Sequence, residues 1–76
     1  MFIEGNYVFG RLKQNLSIDQ RVVFGRTSDS NMDGKMGTIL GKSFDDICDI
    51  YIVLLDEPYN GQKAINLTEA CICPID

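Results

Sequence analysis

Apolar residues along this 76-residue chain fall into short runs, β-branched and aromatic in character, separated by clusters of Gly, Asp, Asn and Ser. That spacing predicts strands joined by turns. Gln20 to Arg26, QRVVFGR, reads as a strand with Val22 and Phe24 on one face and Val23 on the other, because successive side chains of a strand alternate. A turn-rich connection, TSDSNMDGK, leads to a second strand, MGTILG from Met36 to Gly41, and then to a polar loop, KSFDD. The most apolar run, IYIVLLD from Ile50 to Asp56, is expected to be the central and most buried strand. EPYNGQ reads as a turn, since Pro58 presets φ and Asn60-Gly61 tolerates the positive φ of a tight hairpin. KAINL from Lys63 to Leu67 is the fourth strand, TEAC a short helical turn that Thr68 can cap, and ICPI a terminal strand whose Pro74 belongs at an edge. Alternation then places Val22, Phe24, Ile39, Ile52, Leu54, Ile65, Leu67 and Ile72 in the core.

The first fifteen residues carry their own signal. NYVFGRL and RVVFGRT share V-F-G-R at a fifteen-residue offset. Such a match is what a duplicated strand would leave, but two tetrapeptides are too little to establish a repeat, and residues 1–15 are expected to form a simple extra N-terminal strand or arm that covers an edge of the sheet or pairs with a second subunit. The whole chain, 1–76, is short enough for a single domain, and a domain of this size buries only about 60% of the surface its unfolded form exposes. Its stability is expected at roughly 4–11 kcal/mol.

Charge changes the picture more than composition does. Residues 1–42 hold six basic residues and four acidic ones, a balance of +2, whereas residues 43–76 hold one basic and seven acidic residues, a balance of −6; together these give the net −4. The asymmetry implies a surface with opposed faces. A pI near 4.5 argues against duplex nucleic acid as a partner. MFIEGNYVFG lacks the basic start and apolar run of a signal peptide, and no window approaches a membrane span; a cytoplasmic location is the expectation. Cys48, Cys71 and Cys73 are an odd count, which fits a reducing compartment. Cys71 and Cys73, two apart, would point the same way on a strand. With three thiols and no His, a four-ligand zinc site cannot close within one chain, and packing roles are expected for the thiols.

The candidate chemistry is sparse. DSNMDG matches the opening half of a calcium loop, with Asp29, Asn31 and Asp33 as oxygen donors and Gly34 at the sharp turn. The twelfth position, which should be a bidentate Glu, is Leu40, and the flanks read as strands; Asp, Asn and Gly also serve a hairpin's own backbone. The segment is read as a structural loop and no metal or cofactor is expected. Catalysis finds little support. No His stands ready to activate a cysteine, the acidic cluster Asp45, Asp46 and Asp49 reads as a solvated face, and GRTSDSNMDGKMG lacks phosphate-loop spacing. The chain is read as not an enzyme.

The frame IDQRVVF, GKMGTILG, YIVLLD and INLTEACICPI, covering roughly residues 16–76, resembles the SH3-like small β-barrel, and the Gly-x-x-Gly-x-Ile step is similar to its KOW-type variant. The resemblance implies an all-β fold, a partly open barrel of about five strands with one short helical turn before the last strand, and a glycine at Gly37 where a strand bends sharply. AINLTEAC near the end also resembles small proteins encoded by tailed bacteriophages. The departures are plain: there is no Trp to grip proline-rich peptides, and KOW domains are usually basic.

Two functions follow as expectations. The first is a non-catalytic binding module of the phage accessory type, acting in the host cytoplasm, that docks on and modulates a host protein. It would use its acidic half, with Asp45, Asp46, Asp49, Asp56 and Glu57 as contacts, or an exposed sheet edge. The alternative is an oligomeric binder, or sponge, of a small anionic ligand such as a signalling nucleotide. There Arg26, Lys35 and Lys42 would contact phosphates, Arg11 would come from a neighbouring subunit, and Tyr59 or Phe44 would stack on a base.

Overall fold

The structure is a computed structural model and describes residues 2–4, 7–10, 15–44 and 49–75. Among the described residues seven strands follow in chain order: β1 (Phe2–Glu4), β2 (Tyr7–Phe9), β3 (Arg21–Phe24), β4 (Met36–Phe44), β5 (Asp49–Tyr59), β6 (Gln62–Thr68) and β7 (Ile72–Ile75). A single 3-10 turn, Glu69–Cys71, precedes β7. β1 and β2 form a small antiparallel hairpin; the other five make one antiparallel sheet in the order β6-β5-β4-β3-β7. This is the all-β, unclosed, five-stranded arrangement with a helical turn before the last strand that the sequence pattern predicts. Pro74 lies on β7, an edge strand, where its missing N–H is tolerated.

The strands run further than expected. β4 continues through Lys42 and Ser43 to Phe44, and β5 extends through Pro58 to Tyr59, so the turn shrinks to Asn60-Gly61. Both of those residues have positive φ, 50° and 77°, as a two-residue hairpin of this type requires. A register irregularity between Leu54 and Tyr59 absorbs the proline. Another falls between Ile39 and Gly41, so the break in β4 sits at Leu40 and not at Gly37. Gly37 answers a different need: a Cβ there would lie 2.5 Å from the Leu54 carbonyl oxygen and 2.7 Å from Val53 Cγ1.

The inner face buries Val22, Phe24, Met32, Ile39, Tyr51, Val53, Leu55 and Ile72, with Leu16, Tyr59, Ile65 and Leu67 packed against them. Here the structure corrects the expected core. On β5 the inward residues are Tyr51, Val53 and Leu55; Ile52 is half-buried and Leu54 is exposed. In a run apolar at every position, alternation carries no phase. The phase comes from pairing, which sets Val53 opposite Ile39 and Leu55 opposite Gly37, both buried on β4.

A second, smaller cluster lies on the outer face, where Phe9, Val23 and Cys73 are buried with Tyr7 and Ile75 beside them. The N-terminal segment is thus a hairpin rather than one strand, and it lies over the β3 and β7 side of the sheet. The V-F-G-R repeat acquires a structural meaning here. Gly10 N–H donates to the Ala70 carbonyl at 3.0 Å and Gly25 N–H to the Cys71 carbonyl at 2.9 Å. The two repeated glycines therefore hold successive carbonyls of the 3-10 turn. The Phe9 ring sits on Gly25, where any Cβ would collide with it. Thr68 stands at the N-cap position without a side-chain cap; its hydroxyl instead meets Cys71 Sγ at 3.6 Å. Cys71 therefore closes the turn, half-buried, while Cys73 is buried under the hairpin, both as free thiols. Cys48 lies outside the described residues.

Candidate functional site

The outer face of the sheet is covered over only part of its width. Cross-strand pairing places Arg21, Thr38, Leu54 and Ala64 in one row across β3, β4, β5 and β6. Phe9 covers the β3 and β7 side. On the β4 and β5 side, Leu54 is 42% exposed, Leu40 45% and Met36 39%, and Ala64 and Asn66 on β6 are exposed too.

A polar strip crosses this face. Arg21 donates from Nη1 and Nη2 to the two carboxylate oxygens of Asp56, at 2.6 and 2.5 Å, and from Nη1 to Thr38 Oγ1 at 2.9 Å. The hydrogen bond from Arg21 holds the Asp56 carboxyl below its ordinary range, against a smaller opposing effect of desolvation. Such a fork-to-fork pair fixes geometry as well as charge. Beside it a groove of about 230 Å³ is lined by Gly34, Lys35, Met36, Asp56 and Glu57.

Behind the groove, the candidate calcium segment holds itself together. Asp29 Oδ1 accepts from Asn31 N–H at 2.9 Å, and Asp29 Oδ2 accepts from the Tyr59 hydroxyl at 2.8 Å. Asp33 Oδ1 accepts from both the N–H and the hydroxyl of Thr27. Phe24 and the Gly34–Lys35 step exchange backbone bonds that close the loop, and buried Met32 pins it to the core. Gly34 takes φ +89°, the conformation that favours glycine. Both carboxylates thus serve the loop's own backbone and neighbouring hydroxyls. Among the described residues no group of three His, Cys, Asp or Glu is placed to hold a metal ion.

The proposed anion contacts are dispersed. Lys35 Nζ lies 5.3 Å from the Tyr59 ring centre, so those two do come together, with the Tyr59 hydroxyl pushed above its ordinary pKa by its bond to Asp29 and then by burial. Lys42 sits elsewhere, paired with Asp49 at 2.7 Å and 5.6 Å from the Tyr51 ring. Lys35 and Lys42 are seven steps apart along extended chain, about 23 Å, too far for one phosphate. Arg26 is exposed at the start of the β3–β4 connection with φ 54°. Arg11 and the Phe44 side chain lie outside the described residues.

The acidic candidates separate likewise. Asp49 belongs to the Lys42 pair, Asp56 to the Arg21 pair, and Glu57 is exposed at the groove. Asp45 and Asp46 lie outside the described residues. Sequence reasoning missed Glu69, fully buried in the 3-10 turn; nothing in TEAC distinguishes it from a solvated turn residue. It also missed the outer face, since Ile52 and Leu54 read as interior. Among the described residues no helix is long and apolar enough to cross a membrane. Compared with known proteins, the chain matches no family model, no curated protein and no solved structure.

Proposed function

We propose that this chain is a non-catalytic binding module that docks on another protein through the outer face of β4, β5 and β6. One observation carries the reading: Leu54, Leu40 and Met36 stand exposed on the part of the sheet face that the N-terminal hairpin leaves open. Apolar surface left in water forgoes about 25 cal/mol for each Å² that burial would remove. A small domain with little core to spare gains from covering it. The Arg21–Asp56 pair and Glu57 border the apolar strip, the pattern of an apolar centre with a polar rim. The partner is a host protein whose matching patch is apolar and edged with basic residues, to suit the acidic half of this chain. The resemblance to small bacteriophage proteins supports a host partner and a modulating role in the host cytoplasm. The chemistry of the site is binding alone.

The test compares the parent with Leu54→Glu as immobilised baits in bacterial lysate, after circular dichroism shows both folded. A stoichiometric partner retained by the parent and lost by the variant is expected, with Glu57→Lys weakening capture most at low salt. No stoichiometric partner, or the same partner held equally by both baits, overturns the reading.

A further inference from the structure

The two edges of the five-stranded sheet are built differently. β7 carries Pro74, which offers no N–H, and β2 packs beside it. Among the described residues β6 has neither a proline nor a strand packed beside its open edge. It is seven residues long, without proline, and it pairs with β5 in unbroken register from Ile50 opposite Thr68 to Leu54 opposite Ala64. No other described strand pairs with it. Alternate residues of such a strand turn their N–H and C=O groups outward, a ready template for another strand. Gln62, Lys63, Ala64 and Asn66 are exposed along it, while Ile65 and Leu67 reach the core only half-buried.

We infer that β6 is a self-association edge, pairing antiparallel with β6 of a second copy about a twofold axis and joining two sheets into one. Charge selects a second copy as the occupant. Residues 43–76 hold seven acidic residues and one basic residue, yet β6 within them carries Lys63 and no acid. Two chains of net charge −4 that meet along β6 keep their carboxylates away from the joint. Lys63 lies near one end of the strand, so antiparallel pairing sends the two lysines to opposite ends. Twofold symmetry makes the same strand complementary to itself, and Ile65 and Leu67 each gain a neighbour. The joint is narrow, within the weak class below about 1,200 Å² of total buried area, so the dimer dissociates on dilution. This goes beyond docking on a foreign protein: it sets two outer faces side by side on one continuous sheet.

The experiment measures mass by light scattering and sedimentation from micromolar to millimolar protein. It uses the parent, the double variant Ala64→Glu with Asn66→Glu, the double variant Ala64→Lys with Asn66→Lys, and an equimolar mixture of the two variants. The parent is expected to pass from monomer to dimer, each variant to stay monomeric, and the mixture to recover the dimer through opposite charges. A parent that remains monomeric at millimolar concentration overturns the inference. So does a dimer that both variants retain. Should the variants fail to fold, hydrogen exchange of the parent decides: β6 amides that slow with rising concentration support the pairing, and rates that do not change sink it.

Discussion

Leu54 and Leu55 are adjacent in sequence and identical in chemistry, yet the fold predicts very different costs for shortening them. Leu55 is 5% exposed within the inner core, whereas Leu54 is 42% exposed on the outer face. Truncating a buried Leu to Ala removes its transfer free energy and leaves a cavity, about 2–5 kcal/mol. At Leu54 solvent fills the space and only part of the side chain's burial is lost, about 1 kcal/mol or less. For a domain of this size each kcal/mol moves the melting temperature by about 4–8 °C. Leu55→Ala should therefore melt at least about 8 °C lower, and at the upper end of its range lose about half or more of a margin of roughly 4–11 kcal/mol. Leu54→Ala should melt within about 8 °C of the parent. Urea unfolding followed by circular dichroism measures both, and a shared m-value confirms that the unfolded states are comparable. Equal losses, or a larger loss at Leu54, would refute the phase assigned to β5 and with it the outer docking face.

Other consequences are open to the same kind of measurement. Gly37→Ala forces a methyl against the Leu54 carbonyl and Val53; a loss of about 1–3 kcal/mol is expected, and a variant as stable as the parent would show that β4 and β5 are not so closely apposed. Gly25→Ala drives the Phe9 ring off its seat, so Cys73 should react faster with a thiol reagent while the inner core stays folded; an unchanged rate would count against the hairpin's position. Because Arg21 lowers the folded pKa of Asp56, that pair's contribution is present above the ordinary carboxylate range and lost as pH falls through the lower folded value. Asp56→Asn should accordingly flatten the acid limb of stability against pH, and an identical limb would contradict the pairing. The bond to Asp29 raises the Tyr59 pKa, so its contribution is present below the ordinary tyrosine value and fades above it; in an ultraviolet titration Asp29→Asn should bring one tyrosine back toward that value.

Much of the fold is written in local signals. Asn60-Gly61 marks its hairpin because both residues must accept positive φ, and the β-branched run of β3 alternates cleanly between two clusters. The docking face is not legible this way. Ile52 and Leu54 are as apolar as Val53 and Leu55, and only the register with β4 decides which pair looks inward. The cations Lys35 and Lys42 look like neighbours in a list of charges, but an extended strand carries them apart and delivers Lys42 to Asp49. The V-F-G-R repeat was visible as text; its purpose, two N–H groups on adjacent carbonyls of one turn, depends on a long-range meeting that no local pattern encodes.

The pairing of β7 with β3 also sets the order in which the molecule can be made. The Gln20 side chain reaches the Ile75 carbonyl across 55 residues of sequence, while β3 through β6 form a meander of successive neighbours. During synthesis the meander can assemble as it emerges, but β3 keeps a bare flank until the last strand arrives. Sheets completed by such distant returns fold slowly, and that flank displays Val22, Val23 and Phe24 in the meantime. Crowded expression should thus threaten this protein most in the interval before β7 docks, when neighbouring unfinished chains compete for the same flank.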